Sequence, residues 1–222
     1  MKKRDWTRKV EETADGSSTF FIPEWNERYH SGHGALQEGI HVFIKMGLAT
    51  KLDLPELNIF EMGLGTGLNF LLSYKSAKAE QAINYFALEA FPLEEKEWKA
   101  LPTPVEGLAD EYQMLHLAPW NEEFKLRNFT VKKIHNSLEE HMFQSNFYDL
   151  VYYDAFGPRV QPELWTLDVF KRFYVAMRSN GTLVTYCAKG QVRRDLQAAG
   201  FEVERLPGPP GKREMLRATK KS

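Results

Sequence analysis

The most restrictive segment of the chain is Glu61-Met62-Gly63-Leu64-Gly65-Thr66-Gly67, which follows a short apolar strand candidate, Asn58 to Phe60, and opens a helix-like stretch from Gly67 to Ala77. Three glycines at alternate positions permit positive φ and keep Cβ atoms out of a ligand's way. A strand, a bare turn and a helix in that order present main-chain N–H groups at a helix N-terminus, an arrangement suited to a nucleotide-like cofactor. The dinucleotide fingerprint G-x-G-x-x-G needs its third glycine one residue later, where this chain has Leu68, so a pyrophosphate ligand is disfavoured. A tight structural connection is the alternative. A second signal favours the ligand: Ile83 to Leu88 reads as a buried strand ending in Glu89, twenty-two residues beyond Gly67, where a carboxylate can accept from both ribose hydroxyls.

Strand and helix patterns alternate along the rest of the chain. Pro92 to Leu101 and Pro104 to Leu117 read as helices separated by Pro102-Thr103-Pro104, the second being an insertion between strands. Phe129 to Ile134 alternates as a strand, Ser137 to Gln144 reads as a short helix, and Tyr148 to Tyr153 is a buried strand ending at Asp154. A proline-initiated helix over Pro162 to Met177 leads through Asn180-Gly181 to a strand at Thr182 to Cys187. Lys189 to Ala199 is a helix stopped by Gly200, and strands at Phe201 to Leu206 and Arg213 to Thr219 flank a Pro/Gly-rich turn. Repeated β-α units predict an α/β fold: a mostly parallel, seven-stranded Rossmann-like sheet with an antiparallel last strand and helices on both faces. Ligands of such sheets sit beyond the carboxyl ends of the strands near the switch in strand order, where Gly63 to Gly67, Glu89, Asn136 and Asp154 all fall.

A chain of 222 residues with 43% hydrophobic content supports one sizeable domain, read here as residues 51–222 with an N-terminal extension over 1–50 packing over the cofactor site. No apolar run approaches the roughly eighteen residues of a membrane span, and the N-terminus lacks the apolar core of a signal peptide, so a soluble, cytoplasmic protein is expected. The single cysteine, Cys187, reads as a small core residue, and no Cys/His spacing supports a metal. Net charge is −1, yet the ends are basic: five Lys/Arg against one acid in residues 1–10, nine against four in residues 189–222. Basic ends around an acidic body suit phosphate contacts, although solvated tails produce the same count.

The pattern Glu-x-Gly-x-Gly-x-Gly resembles motif I of S-adenosylmethionine-dependent methyltransferases. A longer set of segments is more specific: Asn26-Glu27-Arg28-Tyr29-His30-Ser31, Gly39-Ile40-His41-Val42-Phe43-Ile44, Asp154-Ala155-Phe156-Gly157-Pro158, Gln161-Pro162-Glu163-Leu164-Trp165-Thr166, the run Val192 to Phe201, and Gly211-Lys212-Arg213-Glu214-Met215-Leu216. Together, over about residues 25 to 217, they resemble the bacterial MnmC-type methyltransferase domain, in a free-standing form without the oxidase domain of fused members. The resemblance implies a class I methyltransferase fold and an S-adenosyl-L-methionine cofactor. It also implies methyl transfer to 5-aminomethyl(-2-thio)uridine at the wobble position of the tRNA anticodon region.

The resemblance also distributes roles. Glu61, Gly63, Gly65, Thr66, Gly67 and Asn69 belong to the cofactor turn, the glycines facing its methionine part; Glu89 takes the ribose, and Asn136 with Ser137 the adenine. Many members carry aspartate in place of Asn136, whose side-chain carbonyl can still accept from the adenine amino group. Tyr29 and Ser31 close over the cofactor. Asp154, with its neighbour Ala155, orients the acceptor amine or takes its proton; a buried strand-end carboxylate with a structural role is the alternative. Phe156, Pro158 and Trp165 are expected against the substrate base, and Lys189, Arg193, Arg194, Lys212 and Arg213 against phosphates. Aminopropyl or methyl transfer to a small amine and a non-catalytic cofactor-binding subunit are the competing functions.

Overall fold

The computed structural model describes residues 5–222, so Lys2, Lys3 and Arg4 of the basic N-terminal run lie outside the described residues. β1 (Lys9–Glu12), β2 (Ser18–Ile22) and β3 (Glu27–Arg28) form a small antiparallel sheet. Helix α1 (Ala35–Gly39) runs into a π-helical turn, Ile40–Lys45, and a 3₁₀ turn, Leu48–Lys51. The remaining elements are β4 (Glu56–Met62), α2 (Leu68–Ser76), β5 (Ala82–Glu89), α3 (Glu95–Trp98), α4 (Ala109–Leu117), β6 (Glu123–Leu126), β7 (Phe129–His135) and β8 (Tyr148–Tyr153). After a 3₁₀ turn at Pro162–Trp165 come α5 (Leu167–Ala176), β9 (Met177–Thr185), α6 (Gly190–Ala198), β10 (Glu202–Pro207) and β11 (Glu214–Thr219).

The main sheet has the order β10-β11-β9-β8-β4-β5-β7-β6. Strands β9, β8, β4, β5 and β7 are mutually parallel, β11 is antiparallel to both its neighbours, and β6 is antiparallel to β7. The sheet therefore has eight strands rather than the seven expected from the sequence. The extra strand, β6, forms a hairpin with β7 across Arg127-Asn128, in which Arg127 takes a left-handed conformation at φ 51°. Its polar Glu123-Phe124-Lys125-Leu126 suits a half-exposed edge and carries little strand signal.

Strand β4 is buried at every position from Leu57 to Met62, because helices cover both sheet faces. Leu57 and Ile59 pack on the face held by α2 and by Val42, Phe43 and Leu48, whereas Phe60 and Met62 pack against Phe170, Phe173 and Leu196 of α5 and α6. Residues 35–48 are thus part of the main core. Asn58 survives in this buried strand because its polar groups are satisfied: the main-chain N–H donates to Asp149 Oδ2 (2.9 Å), Nδ2 to the Phe147 carbonyl (3.2 Å), and Oδ1 accepts from Asn84 Nδ2 (2.8 Å).

Several expected helices are shorter. Only Glu95–Trp98 is helical within Pro92 to Leu101, started by a capping box between Glu94 and Glu97. The second runs from Ala109 rather than Pro104. Ser137 to Gln144 forms turns instead of a helix, with the His141 N–H bonded to the Ser137 carbonyl (3.0 Å) and Leu138 buried. Pro162 to Met177 is divided at Thr166, whose extended backbone (ψ 157°) ends the 3₁₀ turn and whose side chain caps α5 by accepting from the Val169 N–H. Asn180-Gly181, expected as a turn, lies within β9 as an irregularity where Asn180 adopts φ 63°.

Phe173 is fully buried, with its ring 4.8 Å from Phe143 and 5.2 Å from Tyr153. Phe173→Ala is expected to cost about 3–5 kcal/mol, read as a lower urea midpoint at unchanged m-value.

Candidate active site

The parallel strands β4, β5 and β8 end together, and their terminal residues build one end of a cavity of about 790 Å³. The turn after β4 departs from sheet geometry at once. Gly63, Gly65 and Gly67 have φ of 90°, 52° and 76°, the left-handed region where side chains are strained. A Cβ on Gly65 would stand 3.2 Å from the Tyr29 ring, and one on Gly67 would overlap Leu115 of α4. The turn is held from β5: the Gly63 N–H donates to the Leu88 carbonyl (2.9 Å) and the Gly65 N–H to Glu89 Oε2 (3.0 Å). Glu89 Oε1 accepts from the Phe91 N–H (2.8 Å), so one carboxylate fixes both the glycine turn and the loop leaving β5.

Beneath the turn lies Glu61, fully buried. Tyr85 donates to its Oε2 (2.9 Å), whereas Oε1 has no hydrogen-bond partner. Burial raises the Glu61 pKa well above the usual carboxylate range, and the nearby Asp154 and Glu89 charges add to this. A bare glycine cradle, a carboxylate at the end of β5 and an unpartnered buried carboxyl oxygen together fit a nucleoside ligand with a charged, hydrogen-bonding tail.

Beside the turn, Asp154 follows β8, its main-chain N–H bonded to the Met62 carbonyl (3.2 Å), its own carbonyl 3.1 Å from where a Gly63 Cβ would stand, and its Oδ2 accepting from Asn69 Nδ2 (2.7 Å). Burial pushes its pKa up to about 7; the charge of Glu38 adds to the rise, while the Asn69 hydrogen bond and Lys212 oppose it. Glu38 and Lys212 form an ion pair, and the Lys212 ammonium lies 4.0 Å from the centre of the Tyr186 ring. Tyr186 donates to the Ala155 carbonyl (2.8 Å), which ties β9 to the loop after Asp154.

The N-terminal sheet supplies the remaining wall. Arg8, whose side chain is fully buried, donates to the Tyr29 hydroxyl (2.6 Å), to Glu97 Oε2 (2.7 Å) and to the carbonyls of Phe91 and Pro92. Tyr29 in turn meets Phe156 edge to face at 5.1 Å. His30 bridges Thr19 Oγ1 (3.1 Å) and Thr66 Oγ1 (3.4 Å), and burial drives its pKa down to about 4, leaving a neutral imidazole.

Of the expected site residues, Gly63, Gly65, Asn69, Glu89, Ser137, Asp154, Ala155, Tyr29, Ser31, Phe156 and Lys212 line the cavity. Glu61, Thr66 and Gly67 stand behind the turn as its support. Asn136 does not line the cavity; its Oδ1 accepts from the Ser137 N–H (2.8 Å) and is already engaged in a local turn. Trp165 needs correction as a base-stacking residue. It is 4% exposed, donates to the Phe156 carbonyl (2.8 Å) and packs edge to face on Tyr153 at 5.0 Å, so its ring is core. Pro158 lies in the loop after Asp154 without lining the cavity, and Arg193 and Arg194 lie on α6 away from it. Lys189 and Arg213 line a shallower groove that shares Tyr186 and Lys212 with the cavity. Lys212 itself, expected at a phosphate, is committed to Glu38. Sequence reasoning missed Glu38, Tyr186, Arg8 and His30. The only available signals were the adjacency of Glu38 to the segment Gly39 to Ile44 and of His30 to Tyr29.

Comparison with known proteins is consistent with this geometry. A family described as S-adenosyl-L-methionine-dependent methyltransferase matches residues 94–221. The tRNA 5-methylaminomethyl-2-thiouridine biosynthesis bifunctional protein MnmC of Delftia acidovorans is 30% identical over 217 residues, covering 90% of this chain and 33% of that protein. The MnmC of Nitrosospira multiformis is 30% identical over 213 residues, covering 88% of this chain and 34% of its own length. The chain thus spans about a third of these relatives. Among solved structures, MNMC2 from Aquifex aeolicus superimposes with a TM-score of 0.84 at 24% identity, covering 99% of this chain and 72% of that one. Spermidine synthase from Thermotoga maritima gives 0.64 at 12% identity, covering 100% and 72%. Both show the shared α/β fold. Among the described residues no helix is long and apolar enough to cross a membrane, and no cluster of three or more His, Cys, Asp or Glu has the arrangement to hold a metal ion.

Two outcomes follow from the geometry. Gly65→Val, strained at φ 52° and driven against Tyr29, is expected to weaken S-adenosylmethionine binding at least ~10-fold by calorimetry while the circular dichroism spectrum is retained. An aspartate ionises near its ordinary 3.8 in the unfolded chain and near 7 in the fold, so the folded state holds the proton longer and Asp154 lowers stability increasingly as pH rises from about 4 to 7. Asp154→Asn is therefore expected to raise Tm at pH 8 more than at pH 4, each kcal/mol being worth roughly 2–4 °C in a chain of this size.

Proposed function

The chain belongs to the S-adenosyl-L-methionine-dependent methyltransferase family, and from that premise we propose that it methylates the aminomethyl nitrogen of 5-aminomethyl(-2-thio)uridine at the tRNA wobble position, giving the 5-methylaminomethyl base. The observation that carries the proposal is Asp154, a buried carboxylate fixed by Asn69 beside the glycine cradle in the same cavity, its pKa pushed up to about 7 by burial. The role named for the MnmC relatives, biosynthesis of tRNA 5-methylaminomethyl-2-thiouridine, supports the choice of acceptor. The proposed site of action is the cytoplasm, with the anticodon region of tRNA as partner.

The glycine turn, supported from behind by Glu61, and Glu89 hold S-adenosylmethionine, and Tyr29 and Ser31 of the N-terminal segment cover it. When bound, the cofactor supplies an electrophilic methyl carbon on its sulfonium. An alkylammonium has no free lone pair, so the acceptor must lose a proton before it attacks. Asp154, fixed by the Asn69 amide, receives one amine hydrogen and takes a proton from the ammonium form: the N–H bond breaks, its electron pair stays on nitrogen, and the carboxylate becomes a carboxylic acid. A carboxylate with an ordinary pKa near 4 is a poor partner for that transfer, and the raised value narrows the gap to the amine. Holding the nitrogen in place supplies much of the remaining acceleration. Phe156 and the groove bearing Lys189 and Arg213 are the proposed contacts of the base and the flanking phosphates.

With aminomethyl-uridine tRNA and S-adenosylmethionine, nucleoside mass spectrometry is expected to find the base heavier by one methyl group. Asp154→Ala should lower kcat/KM by about 10²–10⁴. Wild-type kcat/KM should rise with pH through about 7 as Asp154 ionises. Failure of the wild-type protein to modify correctly prepared tRNA would sink the assignment, and an aminopropyl adduct would move it to polyamine-type chemistry.

A further inference from the structure

Glu38 has no part in the cofactor cradle, yet it is 8% exposed and lines the same cavity as Asp154. Its position depends on tight docking of α1 on α2. The next residue, Gly39, approaches so closely that a Cβ there would stand 2.7 Å from Leu72 Cδ1 and 3.4 Å from Asn69 Oδ1. The Glu38 carboxylate is gripped by Lys212, whose ammonium rests on Tyr186, and the Tyr186 hydroxyl reaches back to the carbonyl beside Asp154. Asn69 donates to Asp154 from the other side. Two carboxylates lining one cavity are thus linked by a chain of contacts contributed by α1, α2, the β8 end, the end of β9 and the loop before β11.

A carboxylate pair of this kind accepts hydrogens, and Lys212 leaves acceptor capacity on Glu38, since a carboxylate offers about four lone-pair sites. A neutral primary amine has two N–H donors and one lone pair. Once the proton has passed to Asp154, rotation about the C–N bond lets one N–H donate to the acceptor oxygen that the Asp154 acid retains and the other to Glu38, which leaves the lone pair directed away from both. Once methylated, the nitrogen has a single N–H, and a second reaction would require its methyl group to face one of the carboxylates, leaving that buried acceptor unmatched.

We propose that Glu38, aimed by Lys212, is the second acceptor-binding carboxylate, selecting a primary amine and limiting the reaction to one methyl transfer. This rests on the acceptor being an aminomethyl base as proposed above. Glu38 is a positioning residue here, with proton acceptance left to Asp154.

The test compares wild type, Glu38→Gln and Glu38→Ala on anticodon stem-loop RNA carrying either 5-aminomethyl-uridine or its monomethylated product. The readouts are mass-resolved methyl count, the kcat/KM ratio of the two acceptors, and calorimetric affinity of the cofactor-free protein for each RNA. Wild type is expected to add one methyl only. Glu38→Ala should lose ~10- to 100-fold in kcat/KM for the primary amine, bind that RNA more weakly without changed affinity for unmodified RNA, and accumulate the dimethylated base. Glu38→Gln retains an acceptor oxygen and the volume, so it should bind the aminomethyl RNA more weakly while still stopping at one methyl. If Glu38→Ala fails to fold, the Gln variant alone decides: unchanged affinity for aminomethyl RNA overturns the proposal. An unchanged acceptor ratio and methyl count in a folded Glu38→Ala likewise overturns it. An inactive wild-type protein instead overturns the functional assignment.

Discussion

One carboxylate organises the site. Glu89 receives the Gly65 N–H on one oxygen and the Phe91 N–H on the other, fixing the cofactor turn relative to the loop that leaves β5. The Phe91 and Pro92 carbonyls then accept from Arg8, and Arg8 holds the Tyr29 hydroxyl, so this loop ties the N-terminal sheet to the main sheet. Tyr29 finally returns to the turn, its ring within 3.2 Å of where a Gly65 Cβ would be. The circuit explains why the turn tolerates three left-handed glycines at alternate positions: the Gly63 and Gly65 N–H groups are anchored from β5, and Leu115 of α4 fills the space that a side chain on Gly67 would need.

The cost of the arrangement is carried by acids. Glu61, Asp154 and Glu38 all lie in or below the cavity wall, and burial with nearby carboxylates favours the protonated forms of Glu61 and Asp154. Only Glu38 has a cation bonded to it, and that cation is also close enough to hold down Asp154. Asp154 is pushed up to about 7, and burial raises Glu61 well above the usual carboxylate range against the opposing hydrogen bond from Tyr85. A set of acids balanced in this way matches ligands that bring positive charge, as both a sulfonium and an amine do.

Much of this was legible in the chain itself. The alternation of apolar runs and helix patterns placed β4, β5, β7, β8 and the final hairpin, because strands covered on both faces must be continuously apolar. Gly63, Gly65, Glu89 and Asp154 were found for the same reason: a polar or glycine residue immediately after such a run stands at the carboxyl edge of the sheet. Trp165, expected against the base from the resemblance of its segment, instead points into the contact between α5 and β8, a direction that depends on the break at Thr166. β6 and the N-terminal sheet escaped notice because their strands are short and polar.

Sequence alone determined the order of the main parallel strands and the sheet edge on which the cavity lies, since these follow from the period of buried residues and the conformational demands of glycine. Only the tertiary structure decided which distant side chains share the cavity. Arg8 with Glu97, His30 with Thr66, and Glu38 with Lys212 are separated by 89, 36 and 174 residues. Pairings at such separations leave no local pattern, because each charge or ring on its own reads as an ordinary surface or core residue until packing removes the water around it.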